Sequence, residues 1–196
     1  MQRVISTTMI FFGHLGITLL FVFLVFYYLK IEADYRFVLV GAILPDIIDK
    51  PIGDYLFYSD FQNGRLFAHT LLFVAVLTTI GWYADKKYHF SGILLLALGS
   101  VVHLVLDQMW LTPGTLFWPL FGWQFEKYND LGDYAGYIWD QLMHNPQAYV
   151  PEVIGFLILV GFFIHFRLYK RENFIKFLKD GKLSTKKTIK ATAPQQ

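Results

Sequence analysis

Between Arg3 and Lys30 the chain carries no Lys, Arg, Asp or Glu. That interval is longer than the roughly 20 residues an α-helix needs to cross the hydrocarbon core of a bilayer. It makes a poor cleavable leader, because its apolar run outlasts the usual leader core of about 7 to 15 residues and no small-residue cleavage site follows. Further apolar runs occupy residues 66–84, 88–106 and 153–166, the last opened by Pro151 and Glu152 as a helix start would be. A shorter run, 37–44, stops at Pro45 and Asp46 and reads as a short or partly inserted helix. With 55% hydrophobic and only 16% charged residues, the composition is greasier than that of an ordinary soluble domain. The pattern predicts an all-α, polytopic membrane helix bundle of about five helices, one of them short.

Basic residues set the expected direction. Nine of the 17 Lys and Arg lie from Arg167 onward, which marks the C-terminus as cytoplasmic if the helices cross. Counting back places Lys30, Arg36, Lys86 and Lys87 inside and leaves Arg3, Lys50, Arg65 and Lys127 outside. The chain is therefore expected in the cell membrane as a multi-pass protein with its N-terminus outside. Residues 1–170 are read as the membrane-embedded domain and 171–196 as a basic, partly disordered cytoplasmic tail suited to anionic lipid headgroups. Two outer loops result, 46–65 and 111–149. The second joins the last two helices, and Trp118, Trp123 and Trp139 give it the composition of an interfacial segment. A net charge of +2 with basic residues gathered at one end leaves no footprint for nucleic acid, and the absence of cysteine excludes disulfides and thiolate ligands.

Six ionisable residues need partners in such surroundings: His14, Asp46, Asp49, His69, His103 and Asp107. An unpaired charge or polar group among apolar side chains is costly. On the expected topology all six fall at the outer level of the bundle, delivered by four segments. His103 and Asp107 are spaced i,i+4, and Asp46 and Asp49 i,i+3, so each pair shares one helix face. Neutral imidazole with carboxylate suits a divalent cation, Zn²⁺ ahead of Mn²⁺ or Fe²⁺. Separate helix-packing hydrogen bonds, or a His–Asp proton relay, are the competing explanation. His89 and His165 fall near the opposite side, and His144 lies in the outer loop.

At these residues the chain resembles the membrane-bound metal-dependent hydrolases, the YdjM-like family also described as LexA-binding, inner-membrane-associated hydrolases. The likeness runs from about Gly13 to Pro119. Its pieces, in order, are Gly13–His14; Leu44, Pro45 and Asp46; Arg65 four residues before His69 and Thr70; and His103 with Asp107, followed by Thr112, Pro113, Gly114, Trp118 and Pro119. The chain departs from the pattern in placing Asp49 one residue later, in having Lys50 where a His often stands, and in Gly64 where a His often precedes the Arg.

The resemblance implies a hydrolase. With the residues above it leads to an expected metal-assisted cleavage of a phosphoester or ester in a membrane lipid or lipid-linked substrate at the extracytoplasmic face. His14, His69, His103 and Asp107 are the preferred ligands, and Asp46 or Asp49 serves as ligand, general base or support for an imidazole. Arg65 is a candidate clamp for a substrate phosphate, with an interfacial cation as its plainer reading, and Lys50 is a candidate ion-pair partner for the acids. The alternative class is a non-catalytic membrane metal-binding protein, a transporter or sensor, for which the largely apolar inner halves of the helices offer no polar path.

Overall fold

The computed structural model describes residues 9–127 and 134–183, and among them every regular element is helical. Arg3, residues 128–133 of the expected outer loop and the tail beyond residue 183 lie outside the described residues. Helix α1 (Phe12–Leu29) closes where Lys30 turns left-handed and the Ile31 N–H returns to the Phe26 carbonyl. Helix α2 (Tyr35–Lys50) starts at Asp34, whose side chain accepts the Arg36 N–H.

Helix α2 does not stop at Pro45, which corrects the expected end of the short helix. Proline removes one donor from a helix and leaves the carbonyl four residues earlier without its bond. Here that carbonyl, Gly41 O, accepts from Ser100 Oγ at 3.2 Å, and the adjacent Ala42 O lies 2.7 Å from His103 Nδ1. A side chain of a neighbouring helix, Ser100, thus satisfies the carbonyl that the proline frees. The chain continues into a π-helical turn (Pro51–Leu56) and helix α3 (Tyr58–Phe61), then runs irregularly through residues 62–70.

Helix α4 (Leu71–Tyr88) is capped by Thr70, whose Oγ1 accepts the Phe73 N–H at 3.0 Å, so the apolar run 66–84 is helical only in its later part. Helix α5 (Gly92–Leu106) leads through a 3₁₀ turn (Met109–Leu111) to helix α6 (Pro113–Leu116), and α7 (Tyr134–His144) precedes the long α8 (Pro146–His165). Helix α8 opens five residues before Pro151, the expected start. Asn145 accepts the Gln147 N–H and Pro146 stands at the first helical position, where its missing donor costs nothing. Helix α9 (Arg171–Asp180) then folds back against the start of α2, where Tyr35 N–H donates to Gly181 O at 2.9 Å and Lys182 pairs with Glu32.

Five long helices alternate in direction. Helices α1 and α8 run parallel, as do α2 and α5, while α4 runs antiparallel to α5. Glycine sets two of these approaches: a Cβ at Gly16 would lie 2.1 Å from Gly155 O, and one at Gly99 would lie 2.6 Å from Val38 O. The end nearer α9 is packed with Leu19, Val22, Tyr35, Val38 and Leu95. The other end collects the polar residues. Helices α1 and α8, of 18 and 20 residues, are long and apolar enough to cross a membrane, whereas α5 is apolar but shorter. Large apolar side chains such as Phe21, Leu24, Ile154 and Leu157 stay exposed on them, a surface suited to lipid contact.

Candidate metal centre

Four elements meet at the polar end. The start of α1 brings His14, the last turn of α2 brings Asp46 and Asp49, segment 62–70 brings Arg65 and His69, and the end of α5 brings His103 and Asp107. The side chains of His14, Asp49, His69 and His103 are fully buried, Asp107 is 3% exposed and Asp46 11%. This is the convergence expected from the sequence.

The imidazole tautomers follow from their neighbours. His103 Nδ1 faces Ala42 O, a carbonyl that only accepts, so the ring must carry its proton there. His69 Nδ1 lies 2.7 Å from Asp49 Oδ2, and a carboxylate likewise calls for the proton on that nitrogen. Both Nε2 atoms then present lone pairs, 3.2 Å apart. Asp46 Oδ1 approaches these two nitrogens at 3.5 and 3.8 Å, and Asp107 Oδ2 at 3.7 and 3.9 Å. Four acceptors therefore point at one small volume.

His14 completes the cluster. Its ring stacks on His103 with centroids 4.0 Å apart, and its Nε2 lies 3.1 Å from Asp107 Oδ1. That pair is close without being aligned, because both His14 nitrogens, Asp107 Oδ1 and Thr18 Oγ1 are buried with no hydrogen-bond partner among the described residues. Each unsatisfied buried group costs about 1–3 kcal/mol. A cation among them would remove that cost. The donor set fits one: ligands bound at 2.0–2.1 Å in a tetrahedral zinc site stand roughly 3.3 Å from one another, within the spread of the distances above. His14, His103 and Asp107 form one group able to hold a metal ion, and Asp46, His69 and His103 form another that shares His103.

Asp49 stands behind His69. Its oxygens accept from the backbone N–H groups of Leu66, Ala68 and His69 as well as from the ring, which pins the irregular segment to α2. Arg65 is not one helical turn before His69, since this stretch is not helical; its Nε donates to Asp107 Oδ2 at 2.9 Å. Lys50 pairs with the outer oxygen of Asp46 at 2.7 Å, the partnership expected for it. At Gly64 a Cβ would lie 2.4 Å from Asp54 Oδ2, so the space where the pattern carries a histidine is taken by that carboxyl, whose pKa burial raises. Trp118 stacks with Phe125 and meets Phe67 edge-on, forming an aromatic wall beside segment 62–70. His144 pairs with exposed Asp140, His89 closes α4 and His165 ends α8, so none of the three joins the cluster.

Sequence reading missed Glu152. From the second turn of α8 its carboxylate accepts the backbone N–H groups of Ile10, Phe11, Phe12 and Gly13, capping α1 from a different helix. No local capping residue does this job at Phe11. His14 follows directly, so α8 fixes the depth and rotation of one candidate ligand. A carboxylate bordering an apolar run was the available signal.

The model of the family described as YdjM inner membrane protein matches residues 9–174, a span that includes every member of the cluster. No curated protein and no solved structure matches the chain.

Proposed function

The chain belongs to the YdjM inner membrane protein family, and from that membership and the buried His/Asp cluster we propose that it is a membrane-embedded metal-dependent hydrolase cleaving a phosphoester or ester of a lipid or lipid-linked substrate. One observation carries the reading: four acceptor atoms on three elements converge in a buried place, with two imidazole lone pairs 3.2 Å apart. Side chains that merely pack helices pair donors with acceptors. Acceptors facing acceptors call for a cation.

In this proposal His69 Nε2, His103 Nε2, Asp107 and His14 hold a divalent ion, Zn²⁺ in preference to Mn²⁺ or Fe²⁺. Such an ion supplies Lewis acidity, lowering the pKa of water toward about 7 and polarising the bond under attack. Asp49 holds the His69 tautomer and orientation, as partners behind a ligand do in metal sites. Asp46 is the most accessible of the three carboxylates and takes the proton from the attacking water. Arg65, anchored on Asp107, keeps positive charge where the anionic oxygens of a phosphoester would lie.

Charge distribution supports a multi-pass arrangement with the cluster on the extracytoplasmic side. Lys50, Arg65 and Lys127 lie at the cluster end, whereas Lys30, Arg36, Lys86, Lys87, Arg167, Lys170 and Arg171 lie at the other. The basic residues of α9 face anionic headgroups there. Transport of the ion would require a polar route past Leu19, Val22, Val38 and Leu95, which form an apolar core instead. The test is lipid profiling of membranes with and without the protein, followed by turnover of the accumulating species by purified protein. Metal-dependent turnover lost in His103→Ala supports hydrolysis, and no accumulating or consumed lipid contradicts it.

A further inference from the structure

A groove of about 380 Å³ opens beside the cluster, between the approach to α1 and the end of α2. Ile10 and Phe11 form one wall; Ile43 and Ile47, with Asp46 and Lys50, form the other. Positions 43, 46, 47 and 50 follow i, i+3, i+4, i+7, so a single stripe of α2 carries both the apolar wall and the charged pair. Asp46 joins the two compartments, with Oδ1 directed at His69 Nε2 and Oδ2 bound to Lys50 Nζ. Lys50 is about one-third exposed, and among the described residues Asp46 occupies one of its three N–H donors.

We propose that this groove seats the apolar chain of the substrate and that Lys50 binds the anionic phosphate at its head. The inference rests on the hydrolase reading and adds to it the route of entry and a specificity residue. A chain lying along Ile43 and Ile47 leaves apolar surroundings for apolar walls, as small-molecule sites generally require. The head it brings arrives at an ammonium group one carboxylate away from the metal ligands. A cationic head would meet the same ammonium and be repelled.

The probe is dodecyl phosphate, added to full-length protein in dodecyl maltoside, whose uncharged head makes the comparison read the phosphate. Inorganic phosphate and dodecyltrimethylammonium are the two controls, and bound metal is measured on every sample. Wild type should bind dodecyl phosphate more tightly than either control. Lys50→Gln should weaken it by about tenfold or more, the value of a charge-assisted bond, and Lys50→Arg should retain most of it. Ile47→Trp, at a half-exposed position where a larger side chain fills the groove without entering the core, should weaken dodecyl phosphate while leaving bound metal unchanged. Equal binding of dodecyl phosphate and inorganic phosphate, equal binding of the two dodecyl probes, or unchanged affinity in both Lys50→Gln and Ile47→Trp would overturn the groove. Protein that carries metal but fails these comparisons removes the groove alone, whereas metal-free wild type removes the hydrolase reading.

Discussion

His69 and His103 direct their Nε2 atoms at each other across 3.2 Å, each with its other ring nitrogen committed to an acceptor behind it. Two lone pairs at that distance repel, and the carboxylates of Asp46 and Asp107 beside them add to the repulsion. The arrangement is stable only with positive charge at its centre. A bound dication or a protonated imidazole would supply it, and the two make different predictions.

Asp49→Asn preserves shape but removes the negative charge behind His69. Loss of such a supporting partner costs metal sites about 10–100-fold in affinity. Competition against a chromophoric chelator should show that drop for Asp49→Asn with folding retained; wild-type affinity would mean that Asp49 serves only the backbone of segment 62–70.

Glu152→Ala removes the cap that α8 places on α1. Four backbone N–H groups lose a charged acceptor, and the expected loss of stability is about 3 kcal/mol, since unsatisfied groups near a helix end are partly recovered by water. Thermal unfolding in detergent measures it. Glu152→Gln keeps one acceptor oxygen and should fall between wild type and Ala. Metal affinity should fall in the same order, because His14 follows the capped residues directly.

Glycines at 155 and 161 make a contrast within one helix. A Cβ at 155 would lie 2.0 Å from Phe12 O, while nothing lies within 4 Å of one at 161. Gly155→Ala should therefore destabilise by roughly 1–3 kcal/mol or more through overpacking, and Gly161→Ala should be neutral or stabilising by up to about 1 kcal/mol. Equal melting temperatures for the two variants would contradict the α1–α8 packing.

Much of this was readable from the residue pattern. The long apolar runs mark α1, α4, α5 and α8, and the i,i+4 spacing of His103 and Asp107 marks a polar end to an apolar element. The passage of α2 through Pro45 was not readable, because the group that replaces the lost bond, Ser100, lies about sixty residues away in sequence. The same holds for Glu152, read as the opening of its own helix when it caps another 140 residues distant. Local signals report local partners; long-range satisfaction of backbone groups is decided by packing. Asp49 was visible as a polar residue near the site, but its place behind His69 depends on the irregular path of residues 62–70.

Sidedness has its own test. Reporter fusions should place Lys86 in the cytoplasm and Trp123 outside, since basic residues concentrate at the α9 end of the bundle. The reverse result would move the cluster to the cytoplasmic face and with it the leaflet from which substrate comes.

The most direct measurement is the metal content of the purified full-length protein, wild type against His103→Ala and Asp107→Asn, with unfolding followed before and after chelation. A cation at the centre predicts bound zinc or a related dication in wild type, its loss in both variants, and a lower melting temperature for chelated wild type. Metal-free wild type whose melting is indifferent to chelator would mean that a proton, not a metal, separates His69 from His103.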